Sequence, residues 1–399
     1  MSQTFNKLVI TDLNLKGKRV FIRVDFNVPL DEVQNITDDT RIKRALPTIN
    51  KAIEMGARVV LASHLGRPKG KVVPALSLKP VAAELSKQLG KPVTFAKDCI
   101  GAEVEGLVNG LKDGDVMLLE NLRFHDAESK NDEAFSKALA GLVDVYVNDA
   151  FGTAHRAHAS TAGITKFVKQ AAAGFLLEKE IKYLSGAVNN PQRPFVAIIG
   201  GAKVSGKIDV LENLANKVNS VIVGGGMANT FFKSMGYDIG DSLCEDEMLD
   251  TARVITEKLK KHNVKFHLPI DCVIAKDLEP NTETRIVPVD KVPAGWKILD
   301  IGPESSKLFK SAIATAKTIV WNGPMGMFEK EAFSSGTYAL AHAVAESDAI
   351  SIIGGGDSVF AVKNAGVEKD IKFISTGGGA SLQLLEGKDL PGLSALTDK

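Results

Sequence analysis

Glycine and lysine residues with nearly the spacing of a phosphate-binding loop occur in the second half of the chain. In the segment GGAKVSGKI, Gly201, Gly206 and Lys207 match the P-loop pattern G-x-x-x-x-G-K-[ST]. Ile208 stands where that pattern has the hydroxyl that holds Mg²⁺. Lys203 adds a second ammonium group. The segment indicates phosphate binding without its own metal ligand, although a tight turn with solvated lysines is an equally good interpretation of it alone.

A second glycine-rich turn supplies an acidic residue. GGGDS follows the apolar run AISII and contains Gly355, Gly356, Asp357 and Ser358. A carboxylate in such a turn can hold the divalent cation that bridges phosphates. The same carboxylate could instead cap the helix that follows. Asp357 is therefore a candidate Mg²⁺ ligand, with helix capping as the alternative.

Three further segments also run from apolar residues into glycine: SVIVGGGMANTF, TIVWNGPMGMFE and FISTGGGAS. Glu329, at the end of the second of them, is an acid placed to accept hydrogen bonds from ribose hydroxyls. Ligands of open α/β sheets bind beyond the carboxyl ends of the strands. The second half of the chain is therefore predicted to bind a nucleotide.

Arginine and histidine residues occur at four putative strand ends of the first half: RVDFN, SHLGRP, ENLRF and DAFGTAHRAHAS, with Asp25 and Asn27 in the first of them. DDTRI places Arg41 at the start of a helix-like segment. A single surface arginine is usually only solvated. Guanidinium groups gathered at one edge of a sheet form a cage for phosphate or carboxylate. The first half is therefore predicted to bind an anionic small molecule.

Other kinds of chemistry find less support. HRAH places two histidines three residues apart without a Glu or Cys nearby that would complete a zinc site. No G-x-S-x-G segment indicates a serine nucleophile. The three cysteines form no C-x-x-C pair, which argues against disulfides and structural zinc.

Strand-like and helix-like segments alternate along the chain, which predicts doubly wound α/β architecture. The candidate strands are RVFIRVDF, ARVVLASH, VMLLEN and DVYVNDAF, then FVAIIGG, SVIVGGG, KFHLPIDCVIA, TIVWNG and AISIIGGGD. Between the two groups, QAAAGFLLEKEIKYLSGAV reads as one helix, which NNPQRP ends. We therefore expect two Rossmann-like domains joined by a hinge helix. The predicted limits are 1–170 for the first domain, 171–193 for the linker helix and hinge, 194–385 for the second domain and 386–399 for a tail that packs back on the first.

Composition sets the class of protein. The 399 residues are 44% hydrophobic and 24% charged, with a formal net charge of +1, which is typical of a globular protein without a general field for nucleic acid. No run of 18 apolar residues and no signal-like N-terminus is visible, so we expect a cytoplasmic protein without membrane partners. A monomer is expected because each half carries its own set of binding residues.

Phosphoryl transfer is the chemistry that joins an anion site to a nucleotide site. It requires positioning, neutralisation of charge and exclusion of water, and two domains that close on a hinge would supply all three.

The ordered motifs RVDFNVP, DDTRI, SHLGRP, LLENLRF, NDAFGTAHRAHAS, GGAKVSGK, GGGMANTF, WNGPMGMFE, GGGDS and STGGGAS resemble those of the phosphoglycerate kinase family. The resemblance covers nearly the whole chain. It implies reversible transfer between 1,3-bisphosphoglycerate with ADP and 3-phosphoglycerate with ATP, with Mg²⁺ carried as Mg-ADP or Mg-ATP.

The resemblance also implies roles for individual residues. Arg41 and Lys203 would meet the phosphoryl group in flight, and Asp357 would be the Mg²⁺ ligand. The residues implied to bind phosphoglycerate are Asp25, Phe26, Asn27, Arg41, His64, Leu65, Gly66, Arg67, Arg123 and Arg156. Those implied to bind the nucleotide are Lys203, Lys207, Glu329, Gly355, Gly356, Asp357 and Ser358.

Three rival interpretations find less support in the residues. A P-loop ATPase would need a hydroxyl at position 208, and a dinucleotide oxidoreductase would need G-x-G-x-x-G with an acid about 20 residues on. A nucleotide-binding scaffold without activity would not need Arg41, Lys203 and Asp357 together. An assay of ATP-dependent phosphorylation of 3-phosphoglycerate separates enzyme from scaffold.

Overall fold

The computed structural model describes residues 6–279 and 281–399. Within them the chain divides into two compact units. The first unit contains the described residues up to Lys182 together with Asp389–Lys399, and the second unit contains Tyr183–Lys388. The limits of a hinge segment stay a prediction.

The first unit is built on one parallel sheet. Its strands are β1 (Arg19–Arg23), β2 (Arg58–Ala62), β3 (Val93–Phe95), β4 (Val116–Leu118), β5 (Val145–Asn148) and β6 (Ala171–Ala173), and its helices begin with α1 (Thr40–Glu54), α2 (Lys79–Leu89), α3 (Ala102–Asn109), α4 (Asp126–Ser129) and α5 (Glu133–Gly141). The six strands lie in the order β3-β4-β2-β1-β5-β6. Helix α6 (Phe175–Asn189) contains the division between the two units.

Strand β1 explains why the apolar runs predict parallel strands. It pairs with β2 on one side and β5 on the other, and both pairings are parallel. Val20, Phe21 and Ile22 are fully buried, because helices cover both faces of the sheet. The order of the strands reverses beside β1, and ligands of doubly wound sheets bind beyond the carboxyl ends of the strands at such a point.

The second unit repeats this plan and adds a small antiparallel sheet. Its strands are β7 (Phe195–Ile199), β8 (Ser220–Val223), β9 (Lys265–His267), β10 (Asp271–Ala275), β11 (Arg285–Pro288), β12 (Lys297–Ile301), β13 (Thr318–Asn322), β14 (Ile350–Gly354) and β15 (Phe373–Ile374). Six of them form the parallel sheet β15-β14-β13-β7-β8-β9, and the other three form the sheet β11-β10-β12. The order reverses between β7 and β13.

The helices of the second unit are α7 (Ile208–Leu214), α8 (Gly226–Ser234), α9 (Leu249–Lys261), α10 (Pro303–Ala314), α11 (Ser335–Ala345), α12 (Gly356–Asn364) and α13 (Gly379–Leu385). The chain ends with α14 (Pro391–Ser394) in the first unit, where Thr397 bonds to the backbone of Leu8 and Ala171. None of the described helices combines the length and the apolar character that a membrane span requires.

The predicted α/β fold with two doubly wound parallel sheets is confirmed, and two local predictions differ from the structure. KFHLPIDCVIA is not one strand: Pro269 separates β9 from β10, which belong to different sheets. The helix expected from residue 170 begins only at Phe175, because Ala171–Ala173 pair with β5 as strand β6.

A buried carboxylate holds the first turn of α6. Asp149, beyond the end of β5, accepts hydrogen bonds from the backbone N–H groups of Leu176 at 2.8 Å and Leu177 at 3.2 Å. Burial raises the pKa of Asp149 to about 7, although these bonds and one from Thr48 favour the charged form. The carboxyl therefore binds a proton more tightly in the folded chain than in the unfolded chain.

This raised pKa predicts how stability depends on pH. An unfolded Asp has a pKa of about 4, so the folded state binds more protons until the pH exceeds about 7, and the contribution of Asp149 to stability falls as the pH rises through this window. Asp149→Asn removes the titration. Between about pH 5.5 and pH 8 the unaltered protein should lose about 2 kcal/mol of its free energy of unfolding through this titration, and Asp149→Asn should not. Urea unfolding followed by circular dichroism measures this.

Asp144→Asn is the matched control. The hydrogen bond from Arg19 keeps the pKa of Asp144 below its ordinary value, so this carboxyl stays ionised across the window. Its effect on stability should be the same at both pH values. An equal offset for Asp149→Asn at both pH values would contradict the raised pKa.

Candidate active site

Cationic side chains of the first unit gather around one carboxylate. Asp25, two residues beyond β1, pairs with Arg41, which lies in the first turn of α1. The Asp25 side chain is only 10% exposed, whereas that of Arg41 is 37% exposed. Arg41 is thus held by Asp25, and its side chain remains accessible to a ligand from solvent.

Charge and burial oppose each other at Asp25. Burial disfavours its ionised form, but the cationic groups around it, with Arg41 and Arg23 among them, lower its pKa below the ordinary value. We name Arg23, Arg41, His64, Arg123 and Arg156 together with Asp25 the arginine cluster. Asp25 and the buried Glu128, whose charge acts on Arg123, cannot neutralise four guanidinium groups, so the cluster favours a further anion.

Backbone hydrogen bonds shape the loop that carries His64. This loop follows β2, and Asn27 accepts a hydrogen bond from the Gly66 N–H at 2.8 Å through its side-chain oxygen. Gly66 has a φ of 62°, and a Cβ there would lie 2.8 Å from Leu76. The positive φ favours glycine at this position, and the end of the Leu76 side chain would have to move to accept a Cβ. Asn27 therefore links the loop that follows β1 to the loop that follows β2.

Arg123 presents a buried nitrogen without an acceptor. Its Nη1 donates to the Gly66 carbonyl oxygen at 2.9 Å, while its Nη2 is buried and has no partner among the described residues. Burial lowers the pKa of Arg123 to about 10, and the charges of Arg23 and Arg156 add to this effect. A buried guanidinium with an unused donor is the feature that most directly indicates an anion site.

The segment after β5 brings the last arginine to the cluster. Arg156 donates from Nε to Nε2 of His155 at 3.1 Å. Burial and then the charges of Arg23, Arg123 and Arg156 lower the pKa of His158 to about 4. Burial and the charge of Arg156 also lower the pKa of His155. Both histidines are therefore held in the neutral form.

Three of the predicted phosphoglycerate residues lie differently from the rest. Phe26 and Leu65 are buried in the core, and the Phe26 N–H donates to the Ser63 hydroxyl at 2.8 Å. Their side chains shape the loops instead of facing a ligand. Arg67 is exposed at the end of the His64 loop.

Asn121 organises this region, and the sequence analysis missed it. Its amide oxygen accepts from the N–H groups of Leu65 at 3.2 Å and Arg123 at 3.1 Å, and its amide nitrogen donates to the carbonyl oxygens of Leu65 at 2.7 Å and Leu76 at 2.9 Å. The residue is fully buried. An uncharged amide in ENLRF gives no chemical signal, although its place directly before an arginine-bearing turn is a clue.

The second unit forms a cavity of about 300 Å³ where β7, β13 and β14 end. Backbone from three glycine-rich turns lines it: a Cβ on Gly200 would overlap the Pro324 carbonyl oxygen, and one on Gly323 would overlap Gly200. Most predicted nucleotide residues meet here. The lining residues are Gly200, Gly201, Ala202, Lys203, Lys207, Asn322, Gly323, Pro324, Gly355, Gly356, Asp357 and Ser358.

Lys207 is half-buried in this cavity and has a defined partner. Its ammonium group donates to the side-chain oxygen of Asn322, the last residue of β13. Burial lowers the pKa of Lys207, and the charges of Glu386 and Asp357 oppose that shift. Asn322 is a second residue that the sequence analysis missed. It lies in WNGPMGMFE, where the sequence singles out Glu329.

Asp357 and Ser358 have different roles. Gly355 is the N-cap of α12, so capping by Asp357, the alternative drawn from the sequence, is wrong. Asp357 is exposed in the first turn, next to the lysines. Ser358 is buried and its hydroxyl accepts from the Gly323 N–H at 2.6 Å, which holds the turn after β13. The carboxylate is thus exposed at the cavity, whereas the hydroxyl of Ser358, which also lines the cavity, is bonded to the turn.

A larger cavity of about 400 Å³ adjoins this one and shares Gly201, Ala202, Pro324 and Asp357 with it. Its wall is mostly apolar, and Glu329 lies at it. Glu329 does not line the smaller cavity. The second unit therefore offers an apolar chamber, a polar chamber with two lysines, and one carboxylate common to both.

Known proteins resemble this chain over nearly its whole length. A family model described as phosphoglycerate kinase matches residues 10–388. A phosphoglycerate kinase of Citrifermentans bemidjiense is 56% identical over 386 residues, covering 97% of each chain. One of Chlorobaculum tepidum is 56% identical over 395 residues, covering 98% of this chain and all of the relative.

Solved structures show the same similarity. The phosphoglycerate kinase of Coxiella burnetii has a TM-score of 0.90 and 48% identity, with 98% of each chain covered. That of Pyrococcus horikoshii has a TM-score of 0.83 and 34% identity, again with 98% of each chain covered.

The bonds of Asn121 predict a local effect of removing it. Asn121→Ala leaves buried backbone groups of Leu65 unpaired, so we expect a loss of about 1–3 kcal/mol in the free energy of unfolding. Backbone amide exchange at residues 63–67 should also become faster. Urea unfolding and hydrogen exchange with mass spectrometry measure the two effects.

Asn35→Ala is the control, because Asn35 is an exposed residue bonded to Asp31. It should change stability by less than about 0.5 kcal/mol. Unchanged exchange at residues 63–67 in Asn121→Ala would show that the loop does not depend on this side chain.

Proposed function

Because the chain belongs to the phosphoglycerate kinase family, and is therefore a phosphotransferase of glycolysis, we propose that its two units divide the reactants. The arginine cluster of the first unit binds 3-phosphoglycerate or 1,3-bisphosphoglycerate. The glycine-rich cavities of the second unit bind ADP or ATP. The unused, buried Nη2 of Arg123 is the observation that carries the first assignment.

The phosphoglycerate site uses guanidinium groups of differing exposure. Arg123 is 9% exposed and its orphan nitrogen needs an oxygen acceptor, which a phosphate or carboxylate supplies. Asn27, Gly66 and Arg67 complete the wall through the His64 loop. Phe26 and Leu65 support the site from the core.

The nucleotide site follows the two cavities of the second unit. Phosphates lie against Lys203, Lys207 and the backbone N–H groups at Gly355 and Gly356, where the first turn of α12 adds the positive end of its dipole. The nucleoside occupies the apolar cavity, with Glu329 accepting from ribose hydroxyls. Ser358 holds the turn after β13 instead of touching the nucleotide.

The chemistry of Asp357 fits a magnesium ion. A hard cation prefers carboxylate oxygen and retains several waters, and Asp357 is an exposed carboxylate at the cavity that also holds both lysines. Mg²⁺ would neutralise phosphate charge when bound with the nucleotide. The hydroxyl that the P-loop pattern lacks at Ile208 is therefore replaced by an acid at another strand end.

The side chains around the reactants act by position and charge. The acceptor in the ATP-consuming direction is a carboxylate, which is already ionised near neutral pH and needs no general base. Arg41 and Lys203 neutralise the phosphoryl group as it moves between the reactants. His64 and Asp25 orient groups and abstract no proton.

We further propose a cytoplasmic monomer. Each ligand set comes from one chain, and no membrane helix was found among the described residues. Cys99, Cys244 and Cys272 are free thiols, which is typical of a reducing compartment.

The role of Arg41 predicts a kinetic effect. Arg41→Ala should lower kcat about 10³-fold or more, because charge that develops on the phosphoryl group is no longer neutralised. The KM for Mg-ATP should change little, since Arg41 belongs to the other unit's site. A coupled assay with 3-phosphoglycerate and Mg-ATP gives both constants.

Lys43→Ala is the matched control on the same helix. Lys43 is an exposed residue that pairs with Asp39, so the variant should retain kcat and KM. A rise confined to the KM for Mg-ATP in Arg41→Ala would contradict the assignment of Arg41.

The role of Asp357 predicts a change in metal dependence. Asp357→Asn should raise the Mg²⁺ concentration for half-maximal activity by at least about tenfold, because the anionic ligand is lost. The KM for 3-phosphoglycerate should stay the same. Magnesium titrations at fixed ATP measure the effect, and Asp348→Asn, an exposed residue before β14, is the control. An unchanged Mg²⁺ requirement would remove Asp357 from the metal site.

A further inference from the structure

A chain of buried hydrogen bonds joins His64 to the carboxylate of Glu128. Its members are Arg23, Ser160 and Glu128, all with no exposed surface. The proposed function gives no role to Ser160 or Glu128, and it includes Arg23 only as one charge of the arginine cluster. Burying a charged pair of this kind is costly unless its bonds are complete. These buried hydrogen bonds therefore require an explanation beyond packing.

Each step of this chain has a defined direction. Arg23 donates from Nε to the Ser160 hydroxyl oxygen at 2.8 Å, and from Nη1 to the Val24 carbonyl oxygen. The Ser160 hydroxyl donates to Glu128 at 2.6 Å, and the Ser160 N–H donates to the other carboxylate oxygen at 2.9 Å. The remaining Arg23 nitrogen, Nη2, lies 3.3 Å from Nδ1 of His64.

The last contact determines the state of the imidazole. A guanidinium group has donors and no acceptor and stays protonated in proteins. Nδ1 of His64 must then be the acceptor, which leaves the ring hydrogen on Nε2. An imidazolium would turn an N–H toward the Arg23 N–H and lose the bond. The other candidate for Nδ1, an oxygen of Asp25, is 3.9 Å away, which is too long for a hydrogen bond.

We propose that Arg23 is a positioning residue that holds His64 as the neutral tautomer with hydrogen on Nε2, and that Glu128 holds Arg23 in place through Ser160. This rests on the proposed function, in which His64 belongs to the phosphoglycerate site. His64 then contributes an uncharged N–H donor to the substrate.

The charges that face His64 agree with a neutral ring. They are Asp25 on the acidic side and Arg23, Arg123 and Arg41 on the basic side. Burial is the largest effect on its pKa, and with the three arginines it outweighs Asp25 and keeps the pKa well below the ordinary value.

A neutral donor has a chemical advantage here. An imidazolium could lose its proton to a bound oxyanion, and its charge would hold a carboxylate in the ground state. A neutral N–H orients the oxygen and leaves its charge to attack. The arginine cluster already supplies the positive charge.

Nitrogen NMR of the whole chain tests the tautomer directly. With ¹⁵N-labelled histidine and no ligand, His64 is assigned as the signal lost in His64→Gln. We expect a pyrrole-type Nε2 and a pyridine-type Nδ1 that do not titrate between about pH 6 and pH 8. A pyrrole-type Nδ1, or an imidazolium at neutral pH, would overturn the proposal.

Variants test whether the buried chain positions the ring. Arg23→Leu removes the donor to Nδ1, and Ser160→Ala removes the link to Glu128, whereas Ser160→Thr keeps a hydroxyl. In Arg23→Leu we expect His64 to titrate in this pH range. In Ser160→Ala the KM for 3-phosphoglycerate should rise about three- to tenfold at constant kcat and constant KM for Mg-ATP, and Ser160→Thr should restore it. Arg19→Leu, on the same strand and paired with Asp144 at the surface, is the control that should leave the His64 signals unchanged.

The outcomes separate this proposal from the proposed function. If the expected tautomer survives unchanged in both Arg23→Leu and Ser160→Ala, Arg23 does not position it and the proposal is wrong, even where activity falls. If the tautomer is as expected but 3-phosphoglycerate does not shift the His64 nitrogen signals, the tautomer stands and the assignment of the substrate site fails.

Discussion

The first unit depends on holding several guanidinium groups side by side in a largely buried place. Like charges at such distances repel, and burial removes the water that would screen them. Each group is therefore tied to a fixed acceptor: Arg41 to Asp25, Arg123 to the Gly66 carbonyl oxygen, and Arg23 to Val24 and Ser160. The acceptors come from strand ends that the parallel sheet brings together. The acceptors are fewer than the donors, so the repulsion among the guanidinium groups is only partly relieved. An anionic substrate that binds there would relieve the rest.

The second unit meets a similar demand with backbone. Its turns approach so closely that Gly200 and Gly323 leave no space for side chains. In the proposed function the N–H groups at Gly355 and Gly356 meet the phosphate chain. Backbone donors carry no net charge, so the unit needs few counter-charges: Lys207 has Asn322 as its partner, and Asp357 is left for a cation. The two solutions suit different ligands. In the proposed function, the fork of fixed cations selects a compact anion, and the glycine-rich turns accept an extended polyphosphate whose charge a metal would partly neutralise.

Much of this organisation could be predicted from sequence because charged residues and glycines follow apolar runs, and parallel strands place those positions at one edge. The fold class was predicted on the same basis. Residues whose role is to satisfy backbone were not found, since Asn121 and Asn322 are neutral amides without a distinctive spacing. Alanine favours helices, so the sequence predicts a helix over Ala171–Ala173. The pairing of these residues with β5, as strand β6, overrides that preference. Strands β11 and β12 belong to a sheet that depends on contacts distant in sequence, and local patterns carry little information about it.

The neutral state of the histidines follows from the same balance of charge. His64, His155 and His158 lie where burial and arginines disfavour a further cation, so loss of the imidazolium proton is the least costly way for the cluster to reduce its positive charge. These three histidines therefore remain uncharged near neutral pH. That suits a reaction whose acceptor is already an anion: the enzyme has no proton to manage and needs only to keep each cation in place. The buried chain from Glu128 to His64 is consistent with this, because it fixes hydrogen positions without adding a base. The polar network behind the site thus affects substrate binding through the orientation of donors.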